Sequence, residues 1–319
     1  MSVNPATQTP KKSREPEGKP RRRRLSRKHS EWLAAALFIA PDGIGFLLFL
    51  GVPILLSLGL GFFQVSGFGG YAFAGLANYK RMFVDPLFLK SMTVTLIYVV
   101  FFVGGVFVAS LGLALLVRQK MPFVGILRSA FFVPHVVSLV VIGVVWQFML
   151  IPQRGVVNQF LEVVGIGSVS WLGRPNLALA TVLVVSIWVW MGYYMIIFLS
   201  GLQDIPREYY DAAKVDGAGS WQVFRNVTWP LLKPTSFFVL LVSTVTGVAG
   251  VQAFDLIYVM TQGGPANSTA LSIFYVYEQA FQFNDYGYAA AIASFLVLVL
   301  LIATAGMFLL TKGGRFDVD

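Results

Sequence analysis

The sequence contains no cysteine, only two histidines, and charged side chains at just 12% of its 319 positions. The missing cysteines exclude disulfide frameworks, thiolate metal sites, iron–sulfur clusters and cysteine catalysis together. With His29 and His135 as the whole imidazole complement, a histidine-rich metal site has too few ligands. The same shortage argues against a membrane enzyme, which needs a catalytic constellation. The scarcity of charge excludes most. Soluble domains carry about a quarter charged residues, whereas this chain is 56% apolar with a mean hydropathy of +0.72. Most of its surface must face lipid.

The charge that is present is unevenly placed. Ten Lys/Arg, including the block Arg21 to Arg24, fall in the first 28 residues against only Glu15 and Glu17; the remaining positions hold 14 basic and 13 acidic side chains. The formal +9 therefore belongs to a tail over residues 1–30, too polar to bury a core. It has no interleaved aromatics, which excludes nucleic acid as a partner. A basic tail beside lipid instead sets orientation and touches anionic head groups.

Runs of apolar residues predict an all-α polytopic membrane protein, with a permease-type body over 31–315 and six spans near 33–63, 91–117, 129–151, 177–201, 235–258 and 287–311. Such runs lack the alternation a barrel strand needs. Thr261-Gln-Gly-Gly-Pro265 would break a seventh helix, so a loop is expected there. With the tail inside, an even count places both termini in the cytoplasm. Beyond the tail, nine basic residues (Arg118, Lys120, Arg128, Arg207, Lys214, Arg225, Lys233, Lys312 and Arg315) then fall inside. Five (Lys80, Arg81, Lys90, Arg154 and Arg174) fall outside, as the positive-inside rule requires.

The polar island 204–233 interrupts this pattern. Pro206 suits a first helical turn and Glu208 the positive end of its dipole. Gly217 is a helix stop, Ser220 a plausible N-cap, and Pro230 marks re-entry, so two short helices outside the bilayer are expected. Asp211-Ala212-Ala213, three residues, Gly217, nine residues, Val227, one residue and Trp229-Pro230 resemble the EAA loop of binding-protein-dependent ABC importer permeases. Asp211, Val227 and Trp229 depart from the Glu, Ile and Leu of that pattern. Gly75-Leu-Ala-Asn78-Tyr79 with Asp85, Arg128 to Pro134, Gly155 to Asn158 with Trp171-Leu172, Phe254-Asp255, Thr261 to Pro265 and Gly287 to Ala290 resemble the sugar-type members. Val94, before Thr95, stands where many of them have Asn.

The resemblance implies a permease subunit importing a sugar or oligosaccharide across a bacterial or archaeal inner membrane. It implies a second, different permease chain, two ATPase subunits docked on Glu208, Asp211, Ala212, Ala213, Gly217, Val227 and Pro230, and an extracytoplasmic solute-binding protein. ATP and Mg would belong to the ATPase, whose closure would move the loop as a rigid body and turn the helices outward-facing. The chain's one Gly-Lys pair, Gly18-Lys19, precedes Pro20 and builds no phosphate loop. No catalytic, cofactor or metal residue is expected here.

Intramembrane polar groups mark a substrate path. Gln252 and Asp255, three apart on the fifth helix with Ser243, Thr244 and Thr246 before them, offer donors and acceptors to hydroxyl-rich ligands. Tyr193 and Tyr194 are candidates for sugar stacking. Asp42 is expected at an interface, His135 as a packed, hydrogen-bonded side chain, and the pairs Gly105/Ala109 and Gly247/Gly250 at close helix contacts. Polyol or glycerol-3-phosphate-type solutes remain alternatives. An ion-coupled secondary transporter would need paired inverted repeats, which are not evident, and a passive scaffold would engage no ATPase.

Overall fold

The computed structural model describes residues 27–67, 69–118 and 123–311. Most of the basic tail, with Lys120, Lys312 and Arg315, lies outside the described residues. The chain divides into two compact units, residues 1–55 and 56–319. In the first, α1 (Arg27–Phe46) begins inside the stretch expected to be tail, and a π turn (Leu47–Gly51) leads into α2 (Val52–Leu60), which enters the second unit. Ala34–Leu60 is apolar enough to span a membrane. Asp42 beside Pro41 is exposed.

The second unit opens with a hairpin the sequence did not predict, β1 (Phe63–Ser66) and β2 (Gly70–Phe73), paired in the register Phe63 to Phe73. Then come α3 (Ala77–Val84), α4 (Pro86–Val117), α5 (Val124–Val136), α6 (Leu139–Met149), α7 (Val156–Val163) and α8 (Pro175–Gln203). α9 (Arg207–Val215) and α10 (Ser220–Val223) precede α11 (Trp229–Ala249), α12 (Val251–Met260), α13 (Ser272–Tyr277) and α14 (Tyr286–Leu310). Most expected spans appear as single helices, but two do not. The third is α5 and α6, bent by 98°, because Val137 is extended and Ser138 is not helical just after Pro134, whose missing N–H already weakens the helix. The fifth breaks at Gly250, which takes a left-handed φ of +62°, so α12 starts a new axis. The expected loop occupies 261–271, beyond which α13 and a π turn (Glu278–Gln282) are helical.

α8 is the central helix. Its apolar window is 61% buried, against 22% for α4 and 11% for α14, which leaves the flanks of the latter two for lipid or another chain. Its main partners are α4 and α5. Tyr98 and Phe102 of α4, stacked at 5.5 Å, lie in the same buried cluster as Val189, Tyr194 and Phe198 of α8. Hydroxyls within these helices bond back to carbonyls one turn earlier, as Thr181 does to Leu177 and Ser186 to Val182. That satisfies them where water is absent. Thr95 also accepts the Ser272 amide at 2.8 Å, tying α4 to α13 beside Val94.

One end of the unit is fastened by polar groups. Asp85 caps α4 through the Leu87 amide (2.9 Å) and accepts the hydroxyls of Tyr275 (2.6 Å) and Tyr288 (2.7 Å). The Arg81 guanidinium lies 3.9 Å over the Tyr288 ring and pairs with Asp285 at 2.6 Å. Burial pushes the Asp85 carboxyl up, but the hydrogen bonds from Tyr275, Tyr288 and the Leu87 and Phe88 amides outweigh it and hold the group below the usual carboxylate range. A depressed folded pKa stabilises above the unfolded value, near 3.9, and that contribution is lost as pH falls through the folded value. Thermal unfolding of the solubilised protein should therefore show an acid limb below about pH 4. Asp85→Asn should flatten that limb and cost about 1–3 kcal/mol at neutral pH; an unchanged pH profile would remove Asp85 from the latch.

Candidate functional site

The polar island forms a bent lever. α9 starts after Pro206, with Glu208 in its first turn, and stops at Gly217, whose φ is +72°. The cap of the next helix is Gly219, one residue before the expected Ser220; Gln222 Oε1 accepts the Gly219 amide at 2.9 Å. That helix is also not a separate one. α10 passes through a π turn (Phe224–Thr228) into α11, so Ser220–Ala249 is one 30-residue helical segment. Pro230 lies inside that segment, just after the π turn, where its missing N–H leaves one helical hydrogen bond unmade.

α9 has two faces. Arg207, Tyr210, Asp211 and Lys214 share a cleft with Arg118 at the end of α4. Arg118 lies 4.4 Å over the Tyr210 ring and donates to its hydroxyl at 3.0 Å; that oxygen also meets Thr228 Oγ1 at 3.3 Å. These contacts join α4, α9 and the π turn, and the sequence reading missed them. The only hint was that Arg118 is the first cation after a long apolar run. Glu208, Ala212 and Val215 are exposed on the opposite face. Val215 is 88% exposed and Trp221, stacked on Phe224 at 5.6 Å, is 71% exposed. Both bare apolar side chains lie on the loop that carries the motif, so Val215 and Trp221 join the candidate set. Ala213, Val227 and Pro230 are half-buried, and Asp211 pairs with Lys214 at 3.2 Å on the cleft side. Trp229, one of the three departures from the motif, packs edge-on against Phe107.

The proposed path residues are only partly together. Tyr194 donates to Thr246 Oγ1 at 3.4 Å, which joins α8 to α11. Gln252 and Asp255 lie beyond the Gly250 break, so they share a face of α12 but not one continuous helix with Ser243, Thr244 and Thr246. Gln252 Oε1 is buried without a hydrogen-bond partner, and so is His135 Nδ1. The histidine is packed as expected, stacked on Tyr193 at 4.8 Å and edge-on to Trp190 at 4.5 Å; of the hydrogen bonding expected with it, none is made at Nδ1 among the described residues. An unpaired buried polar atom is costly, so Gln252 on α12 and His135 on α5, each close to a helix break, are two positions where a polar ligand would be stabilised.

Apolar helices long enough to span a membrane, two of the spans broken, and an exposed helical loop between the fourth and fifth point to a polytopic membrane transport subunit. Residues 102–313, more than half of the chain, match the model of the binding-protein-dependent transport system inner membrane component. The chain belongs to that family and is an ABC transporter permease. It is 36% identical over 273 residues to the lactose transport system permease protein LacF of Rhizobium radiobacter, covering 83% of this chain and 90% of the relative. It is 34% identical over 275 residues to the sulfoquinovosyl glycerol transport system permease protein SmoG of Agrobacterium fabrum, covering 86% and 88%. Among solved structures, a bacterial alginate ABC transporter in complex with alginate pentasaccharide-bound periplasmic protein superposes with a TM-score of 0.78 at 25% identity, over 89% of this chain and 95% of that one.

Proposed function

We propose that this permease imports a carbohydrate delivered by an extracytoplasmic binding protein, in the inner membrane of a bacterium or archaeon. Both termini and the 204–233 loop face the cytoplasm. The pore is shared with a second, different permease chain, and ATP and Mg are handled by two separate ATPase subunits. The observation that carries this reading is the continuity of α10 with α11. An ATPase that grips the bare face of α9 and Trp221 holds one end of a continuous 30-residue helical segment that carries Thr246 near its other end, just before Gly250. Closure of the ATPases then swings α11 and changes the environment of Gln252 without unfolding anything, a two-state movement biased from both ends.

Gln252 presents an amide to solute hydroxyls, with Thr246 and Tyr194 on the neighbouring helices and Asp255 one turn further along. The basic residues of α4 and α11, Lys90 and Lys233, lie within their first two turns; this favours a neutral sugar over a strongly anionic solute. Two measurements test the proposal. The purified chain should bring down an ATPase and show solute uptake in proteoliposomes only with ATP inside. Gln252→Leu should raise the KM for that uptake by about tenfold, the equivalent of roughly 1.4 kcal/mol, with the assembly intact. Uptake that persists with no ATPase bound would sink the proposal, and an unchanged KM would take Gln252 out of the path.

A further inference from the structure

The cleft behind α9 has its own chemistry. It measures about 750 Å³, within the range of roughly 300–1,000 Å³ typical of ligand pockets. Its rim is cationic, with Arg118 on one wall and Arg207 and Lys214 on the other, against the single carboxylate of Asp211. Arg118 is held in place by the Tyr210 ring and hydroxyl, and no carboxylate pairs with it among the described residues. Arg207 makes no ion pair or hydrogen bond among the described residues. Lys214 pairs with Asp211, but both side chains are about 70% exposed (74% and 69%), and such pairs hold weakly and yield readily to another anion. Leu115, Val223 and Phe224 make part of the lining apolar. Arg118 caps the apolar helix α4, so the rim lies where a span leaves the hydrocarbon layer.

Fixed guanidinium groups suit phosphate oxygens, which they meet with parallel N–H donors. An apolar wall at the end of a membrane-spanning helix suits a hydrocarbon chain. A free anion would use only the rim. We propose that this cleft binds an anionic phospholipid, its head-group phosphate between Arg118, Arg207 and Lys214 and its acyl chain along Leu115 and Phe224. The bound lipid then fastens the inner face of α9 to α4 while the outer face stays free. The site rests on membrane insertion and not on which solute is carried.

Native mass spectrometry of the delipidated full-length chain, in whatever assembly it purifies with, tests this without reference to uptake. Titrated dioleoylphosphatidylglycerol should occupy one site per copy at concentrations where dioleoylphosphatidylcholine does not. Excess inorganic phosphate should fail to displace it. Arg207→Gln, at an exposed side chain without a partner, should lower that occupancy about five- to tenfold, whereas Arg225→Gln, exposed and outside the cleft, should leave it unchanged. Equal retention of the two lipids, or an Arg207→Gln protein that binds like the parent, overturns the proposal, as would be seen if an ATPase carboxylate filled the cleft. Displacement by inorganic phosphate overturns it in favour of a free anion.

Discussion

Gly217→Val is expected to release the ATPase from the purified assembly and to lower solute uptake about tenfold or more. Gly217 holds a φ of +72° and a Cβ added there would meet nothing within 4 Å, so the cost is in the backbone and not in crowding. A β-branched residue forced into the left-handed region costs about 1–3 kcal/mol, and roughly 1.4 kcal/mol is a tenfold change in a population. The turn relaxes instead, and α9 no longer meets its partner at the angle set against α10. The loop contains its own controls. Gly217→Asn, which tolerates the left-handed conformation, should retain most of the coupling. Gly219→Ala should be close to neutral, because Gly219 sits at an ordinary φ of −71°. Co-purification with the ATPase and ATP-dependent uptake measure all three. A Gly217→Val protein that assembles and transports like the parent would show that the α9–α10 turn does not carry the coupling.

The features that could be read in the sequence are those set by composition along the chain. Apolar runs of about 20 residues exist because the hydrocarbon layer is about 30 Å thick, so the number of spans was readable. The motif spacing from Asp211 to Pro230 placed the turn at Gly217 because only a few residues accept a positive φ there. Hydrophobic pattern says little about which side of a span faces inward, since helices in lipid are apolar all round. The central place of α8 was therefore hidden. So were the breaks at Val137–Ser138 and Gly250: a proline or glycine inside an apolar run is compatible with a straight span, and only tertiary packing decides. Gln252 was singled out as polar, yet its separation from Thr246 by a helix break could not be seen. The Arg118–Tyr210–Thr228 junction joins residues 92 and 18 positions apart, a distance no local rule covers. Asn158, fully buried and bonded to the Leu150, Ile151 and Val169 carbonyls, is a short side-chain anchor whose role depends on backbone groups brought together only by folding.

The small residues make the final prediction. Gly105 was expected at a close helix contact and meets α8 there, but the atoms a Cβ would strike belong to the Ile187 side chain, which can rotate away. Gly192 was not singled out, and it is the tighter place. A Cβ on Gly192 would land on the Phe131 carbonyl and against the Phe132 Cα, both backbone atoms of α5. Backbone cannot move aside without moving the helix, so Gly192→Ala must push α5 from α8. That separation falls between Trp190 and Tyr193 on α8 and His135 on α5, the same groups that stack at 4.5 and 4.8 Å. Overpacking of this kind costs about 1–3 kcal/mol or more. Gly105→Ala should stay under roughly 1.5 kcal/mol. In a domain of this size each kcal/mol shifts Tm by about 2–4 °C, so thermal unfolding in detergent separates the two variants. Uptake should fall with Gly192→Ala even at temperatures where the protein is folded, because the displaced rings line the break at which His135 Nδ1 stands unpaired. If Gly192→Ala unfolds and transports like the parent, then α5 slides freely on α8, and the aromatic cluster between them is not a fixed part of the path.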